Sequence, residues 1–192
     1  MSDSFSFTKP LWRTIKDKKL VETPIFDLQE KYLDAPGQTV GHPFYVLNAP
    51  DWINIIALTD DEPEKIVLVE QYRVGIHEST LEIPGGMVDK DEKPLAAAKR
   101  ELKEETGYES GNWVSMGSVS SNPAILSNRT HLFLAESCIK TAEQNTDGSE
   151  DIAVHIMDLD HFLSITADGT VHHAIVVAAV GKYLLYQRKS RG

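Results

Sequence analysis

Three glutamates in residues 86–108, GMVDKDEKPLAAAKRELKEETGY, have the spacing of a metal-binding helix face. Glu101 and Glu105 are four positions apart, so in a helix they lie one above the other, with Glu104 on the neighbouring row. Carboxylates gathered in this way repel one another unless a cation lies between them. Oxygen-only ligands suit Mg²⁺, with Mn²⁺ as the alternative, and both ions complete their shells with water and substrate phosphate. The competing interpretation is a solvated acidic face without function.

The residues around these glutamates predict the helix that carries them. Pro94 suits the first helical position, because the N–H that it lacks would have no partner there. Residues 95–105 are strong helix formers, and Gly107 suits the left-handed residue that ends a helix. Arg100 can pair with Glu104 four residues later, which would leave the other two glutamates to a metal cation.

The fixed positions of this segment resemble the Nudix box, G-x5-E-x7-R-E-U-x-E-E-x-G-U, where U is a bulky aliphatic residue. Every charged residue and glycine of that pattern is present, namely Gly86, Glu92, Arg100, Glu101, Glu104, Glu105 and Gly107. One position departs, since Tyr108 stands where the family usually carries Ile, Leu or Val. Seven identities at seven fixed spacings make an accidental match rare.

Nearly the whole chain resembles one branch of the Nudix hydrolases, the ADP-ribose pyrophosphatases and nucleotide-sugar hydrolases. The matching segments outside the box are EQYR (70–73), LEIPGGMVD (81–89), NPA (122–124), GSEDIAVHIMDLDHF (148–162) and HHAIVVAAVGKYLL. Typical ADP-ribose enzymes often carry an aromatic or Gly-Phe-Ser segment after the downstream proline. Residues 124–129, AILSNR, instead resemble relatives that act on assorted nucleotide sugars.

The resemblance implies Mg²⁺-dependent hydrolysis of the pyrophosphate bond of a nucleoside diphosphate sugar, either ADP-ribose or a nucleotide-linked hexose. The products would be a nucleoside monophosphate and a sugar phosphate. The resemblance also implies a cytoplasmic homodimer whose N-terminal strands embrace the partner subunit.

Two other functions stay open. The first is a Nudix hydrolase of nucleoside triphosphates or dinucleoside polyphosphates, which the N-terminal strand region and EQYR disfavour. The second is a non-catalytic ADP-ribose-binding module, which the intact box glutamates disfavour.

Glu101 and Glu105 are the first predicted metal ligands, and Glu104 is the third candidate unless Arg100 holds it as a brace. All three glutamates are therefore predicted to be catalytic through the metal. By resemblance, the carbonyl of Gly85 also points at the metal.

Further residues are candidates for substrate binding and catalysis. The guanidinium of Arg73 suits phosphate or carboxylate recognition, with a surface salt bridge as the alternative. Resemblance to substrate-contacting positions of this branch favours a functional role for both Arg73 and Glu82. Trp52 and Phe44 could each stack on a base, and core packing is the alternative for both. Glu150, in the segment TDGSED, is predicted to activate water as a base, with a metal ligand as the alternative and Asp151 as a rival.

The pattern of strands and helices predicts an α/β (α+β) fold, a Nudix-type α/β/α sandwich on a mixed sheet with an N-terminal antiparallel strand region. Strands are expected over 43–49, 52–58, 65–73, 112–120, 131–139 and 151–158, with helices over 158–166 and 172–188 besides the box helix. We predict two parts, an N-terminal strand region for dimerisation (1–45) and a Nudix hydrolase domain (46–192).

Composition narrows the class of partner. A net charge of −10 argues against a nucleic-acid-binding surface. The chain has no apolar stretch of about 18 residues and no signal-peptide pattern, so neither a membrane nor export is expected. The single cysteine, Cys138, fits the cytosol and is predicted to be a buried apolar residue. His172 and His173 are expected to be capping or surface residues.

Overall fold

The structure is a computed structural model that describes residues 6, 8, 11–39, 41–145 and 151–190. The chain forms two compact units. Unit 1 comprises Met1–Ala49 and Asn122–Ser127, and unit 2 comprises Pro50–Ser121 and Asn128–Gly192. No helix in the described residues is long and apolar enough to cross a membrane.

Unit 1 is built on a four-stranded antiparallel sheet. Its strands are β1 (Arg13–Glu22), β2 (Asp27–Ala35), β3 (Gln38–Thr39) and β4 (Phe44–Asn48). Strand β2 pairs with each of the other three. The later segment of unit 1 lies against β4, since the Leu47 N–H donates to the Ile125 carbonyl at 2.7 Å and the Ser127 N–H donates to the Leu47 carbonyl at 3.1 Å. Every residue of β1 is exposed.

Unit 2 is built on a mixed seven-stranded sheet. The strands are β5 (Trp52–Leu58), β6 (Lys65–Arg73), β7 (Glu78–Glu82), β8 (Gly85–Met87), β10 (Asn112–Val119), β11 (Thr130–Glu136) and β13 (Ile152–Asp158), and their central order is β10-β11-β5-β6-β13. Strands β5 and β11 run parallel, whereas the other pairs are antiparallel. The short strands β9 (Tyr108–Glu109) and β12 (Ile139–Lys140) pair separately.

Helices cover both faces of this sheet. The described residues form α1 (Pro94–Thr106), α2 (Leu159–Ala167) and α3 (Ala174–Ser190). Side chains alternate along β5: Ile53 and Ile55 pack in one core cluster with Leu102 of α1, whereas Ile56 packs in a second cluster with Phe162 of α2. Because successive side chains of a strand point to opposite faces, one apolar strand fills both clusters. The predicted α/β/α sandwich on a mixed sheet is confirmed.

The predicted strands and helices occur within a few residues of their expected bounds. Helix α1 begins at Pro94, and Gly107 ends it with a φ of 74°. The prediction for Cys138 is confirmed as well, because it is 3% exposed and burial raises the pKa of its thiol to about 12. Strands β7 and β8 were not predicted; they hold two of the candidate site residues.

Candidate functional site

The three glutamates of α1 line one cavity of about 670 Å³ in unit 2. The same cavity is lined by Arg73 and Glu82 from strands β6 and β7. Trp52, Gly85 and Gly86 line it too. The sheet and α1 therefore bring together the predicted metal ligands with Arg73, Glu82 and Trp52. Glu150 lies outside the described residues.

Arg100 braces the carboxylates of the box. Its guanidinium donates to Glu104 Oε2 at 3.1 Å, to Glu101 Oε1 at 2.8 Å and to both carboxylate oxygens of Glu92 at 3.0 and 3.2 Å. It also donates to the Met87 carbonyl at 3.2 Å. The expected pair between Arg100 and Glu104 is confirmed. The expectation that Arg100 does not bind Glu101 is wrong, because Arg100 Nη1 donates to both glutamates.

Glu92 holds the entry to α1 in place. Its carboxylate accepts a hydrogen bond from the Asp89 N–H at 3.1 Å besides those from Arg100. The hydrogen bond from Arg100 is the main cause that lowers the pKa of Glu92 below its ordinary value. The fixed glutamate at the start of the box is thus a structural partner of the arginine.

Glu105 ties α1 to the strand that precedes it. The residue is 3% exposed, and its Oε2 accepts the N–H of Gly85 at 2.9 Å. Gly85 pairs in turn with Asn54 of β5, where a β-carbon on the glycine would lie 2.4 Å from the Ile53 carbonyl oxygen. Only a residue without a side chain allows β8 to lie this close to β5.

The carboxylates fit a divalent cation by their chemistry and position. Glu101, Glu104 and Glu105 offer oxygen donors on one helix face, and all three reach the cavity. Within the part of the chain that the structure describes, no three His, Cys, Asp or Glu residues are already gathered at metal-binding distance. Glu101 and Glu104 each accept a hydrogen bond from Arg100 through one carboxylate oxygen.

Arg73 and Glu82 form a bidentate ion pair beside these carboxylates. Arg73 Nε donates to Glu82 Oε1 at 2.6 Å and its Nη2 donates to Oε2 at 2.7 Å, while Thr80 Oγ1 donates to Oε1 at 2.5 Å. Glu82 is 1% exposed. Burial opposes ionisation of Glu82, but the hydrogen bonds from Arg73 and Thr80 outweigh it and hold its pKa below the ordinary value. Glu82 is thus buried, Arg73 stays partly exposed, and both residues line the cavity.

His173 is a cavity residue that the sequence prediction missed. It immediately precedes α3, lines the cavity and places Nε2 3.9 Å from Glu82 Oε2. Its carbonyl accepts the Val177 N–H at 3.1 Å, so it caps the start of α3 as expected, but its place in the cavity was not predicted. Its neighbour His172 is half exposed.

Trp52 packs against the core cluster of β5 and α3, as the core-packing alternative expects, and it also lines the cavity. Its contact with substrate stays a prediction. Phe44 belongs to β4 of unit 1, where its ring lies 6.0 Å from that of Trp12.

The chain on either side of Glu150 lies near the cavity. Asn145 lines it, and the Asn145 N–H donates to the Glu104 carbonyl at 2.9 Å. Ile152 of β13 pairs with Gln71 of β6, which is also a cavity residue. Glu150 is five residues after Asn145 and two before Ile152 in the sequence, and its role as base or ligand stays a prediction.

Known proteins resemble this chain over most of its length. The NUDIX domain model matches residues 51–179. The methanol dehydrogenase activator of Bacillus methanolicus is 33% identical over 179 residues, which are 91% of this chain and 93% of that protein. The ADP-ribose pyrophosphatase of Bacillus subtilis (strain 168) is 27% identical over 170 residues, 88% of this chain and 90% of that protein. A crystal structure of ADP compounds hydrolase has the same fold, with a TM-score of 0.81 at 20% identity over 96% of this chain and 98% of that one.

Proposed function

Because the chain belongs to the Nudix family, we propose that it hydrolyses the pyrophosphate bond of a nucleoside diphosphate sugar with Mg²⁺. ADP-ribose or a nucleotide-linked hexose is the substrate, and a nucleoside monophosphate and a sugar phosphate are the products. Relatives named ADP-ribose pyrophosphatase and GDP-mannose pyrophosphatase, the latter from Klebsiella pneumoniae at 30% identity over 82% of this chain, support this substrate class.

One observation carries the proposal: the carboxylates of the box and the Arg73–Glu82 pair line the same cavity. A volume of about 670 Å³ lies within the range of about 300–1,000 Å³ that is usual for small-molecule sites. The box carboxylates suit a cation that binds the phosphates of the substrate. The Arg73–Glu82 pair suits a group that is attached to those phosphates.

In this proposal, Glu101, Glu105 and Glu104 hold the cation, and the Gly85 carbonyl supports it. A bound Mg²⁺ would polarise phosphoryl oxygens and offset the charge that develops on them. Arg100 holds the carboxylates of Glu101 and Glu104 in position for the cation. Glu150 takes the proton from the attacking water.

The N-terminal unit supports a homodimer. Its exposed apolar side chains include Leu11, Trp12, Ile15, Val21, Ile25 and Tyr45, which are each at least 48% exposed. Strand β1 also lies at the edge of its sheet, since β2 is its partner in the described residues. Exposed apolar residues on a sheet edge favour pairing with another chain.

A substrate panel tests the function. The purified protein is incubated with Mg²⁺ and ADP-ribose, GDP-mannose, UDP-glucose, a nucleoside triphosphate or diadenosine polyphosphates, and phosphate is measured after treatment with a phosphatase. We expect ADP-ribose or a nucleotide-linked hexose to have the highest kcat/KM, with activity abolished by EDTA and restored by Mg²⁺.

Preferred cleavage of the triphosphate or the diadenosine polyphosphates would replace the proposal by the first alternative. Binding of ADP-ribose without turnover of any substrate would favour the non-catalytic module. The relative named methanol dehydrogenase activator makes one further comparison useful, namely whether the wild-type and Glu105→Gln proteins change the activity of a methanol dehydrogenase.

A further inference from the structure

His173 is held at the polar part of the cavity by the start of α3. Its carbonyl accepts the N–H of Val177 at 3.1 Å, which fixes the backbone in the first turn of the helix. The side chain is 26% exposed, so the ring is accessible from the cavity that it lines. Its Nδ1 is buried and has no hydrogen-bond partner among the described residues.

The imidazole is neutral near neutral pH. Burial lowers the pKa of His173, and although Glu82 acts in the opposite direction, Arg73 and His172 lower it further. A neutral imidazole has one N–H donor and one acceptor nitrogen. Because Glu82 is ionised, the tautomer with the proton on Nε2 is favoured, since it turns the N–H and not a lone pair towards the carboxylate.

The distance between the two groups leaves room for one more polar atom. Nε2 lies 3.9 Å from Glu82 Oε2, which is too far for a direct hydrogen bond. An oxygen placed about 2.8 Å from each could bridge them. That oxygen must accept from the His173 N–H and donate to the carboxylate, and a hydroxyl group does both. A fully ionised phosphate oxygen has no proton to donate, and the carboxylate repels it.

We propose that His173 is a specificity-determining residue that, together with Glu82, binds a hydroxyl group of the sugar attached to the diphosphate. This inference rests on the proposed function and deepens it. The ion pair with Arg73 fixes Glu82 in place, so the pair of hydrogen bonds selects a hydroxyl at one position. A diphosphate ester without hydroxyls at this end gains nothing from His173.

The test compares two substrates that share the scissile bond. ADP-ribose carries sugar hydroxyls beyond the diphosphate, whereas the propyl ester of ADP carries none. We expect His173→Leu to lower kcat/KM for ADP-ribose at least tenfold, mainly through KM, and to leave the ester within twofold. His173→Gln, whose amide can replace the lost donor, should restore most of the loss. His172→Leu is the matched control and should leave both substrates within twofold.

The inference is overturned if His173→Leu loses the same activity on both substrates or loses none on either. It is also overturned if His173→Gln does not recover the ADP-ribose activity that His173→Leu lacks. If the wild-type protein cleaves the ester but no nucleotide sugar, the proposed function fails instead. If the wild-type protein cleaves neither substrate, the affinities of the wild-type protein and the variants for ADP-ribose and for the ester are measured by calorimetry. The inference then requires that His173→Leu weakens binding of ADP-ribose but not of the ester. Thermal unfolding of each variant separates a loss of fold from a loss of recognition.

Discussion

Gly86 and Glu101 are so close that a β-carbon on the glycine would lie 2.3 Å from Glu101 Oε1. Gly86→Ala must therefore displace the carboxylate, which is the far end of a flexible side chain, so the fold should survive. We expect turnover to fall by about 10²–10³-fold, as for the loss of other charge-stabilising groups. Gly111→Ala is the control, since a β-carbon there meets nothing within 4 Å. Full activity of Gly86→Ala would show that Glu101 need not keep this position.

Glu105→Gln should keep the fold and lose nearly all turnover. The amide oxygen can still accept the Gly85 N–H, but the charge of a metal ligand is removed. The expected loss is on the order of 10²–10⁴-fold in kcat/KM. The same change at the exposed Glu62 should have no effect. Turnover within threefold of the wild-type rate would contradict the assignment of Glu105.

Glu150→Gln should lower kcat while substrate affinity changes little, because a base acts in the chemical step. Rates and binding are measured over a range of Mg²⁺ concentrations. Recovery of the rate at high Mg²⁺ would identify Glu150 as a metal ligand. If kcat is unchanged, the base must be another carboxylate, and Asp151→Asn and Glu104→Gln are the next variants to test.

The ionised state of Glu82 should stabilise the fold. Its pKa is lowered in the folded protein, so the contribution is present above the unfolded value of about 4.3 and disappears as the pH falls through the folded value. We expect Glu82→Gln to lower the free energy of unfolding by about 1–3 kcal/mol at pH 7. The difference between the two proteins, measured by denaturant unfolding, should shrink below about pH 4. If the difference in unfolding free energy grows on acidification, the lowered pKa of Glu82 in the folded protein is contradicted.

Sedimentation should show a dimer at micromolar concentration. The proposed interface would bury more than about 1,200 Å² in total, as stable interfaces do. Ile15→Glu, at 60% exposure in β1, should shift the protein towards the monomer. Ile139→Glu provides a matched control at 62% exposure in unit 2. A monomeric wild-type protein would rule out this role of the N-terminal strands.

Local signals explain why the box helix could be predicted to within one residue. Pro94 and Gly107 fix its ends by their own backbone preferences, which do not depend on the rest of the fold. The contact between Arg100 and Glu101 was not predictable in this way. Adjacent residues on a helix point in different directions, and the contact exists because the long arginine side chain turns towards Glu92 and Glu101 together.

The missed elements depend on distant parts of the chain. Strand β7, with the sequence ESTLE, has little apolar alternation and forms because β6 supplies its hydrogen-bond partners. His173 is a site residue only because β7 places Glu82 beside it. No pattern around residue 173 contains that information.

The return of residues 122–127 to unit 1 has a consequence for synthesis of the chain. Leu47 of β4 receives its partners Ile125 and Ser127 only after the ribosome has passed the whole box helix. At about 5–20 residues per second, that delay amounts to roughly 4–16 s after Ala49 emerges. During this interval the N-terminal strands lack residues 122–127, which complete unit 1. A fragment ending at residue 49 is therefore expected to be prone to aggregation, and chaperones have a defined period in which to bind it.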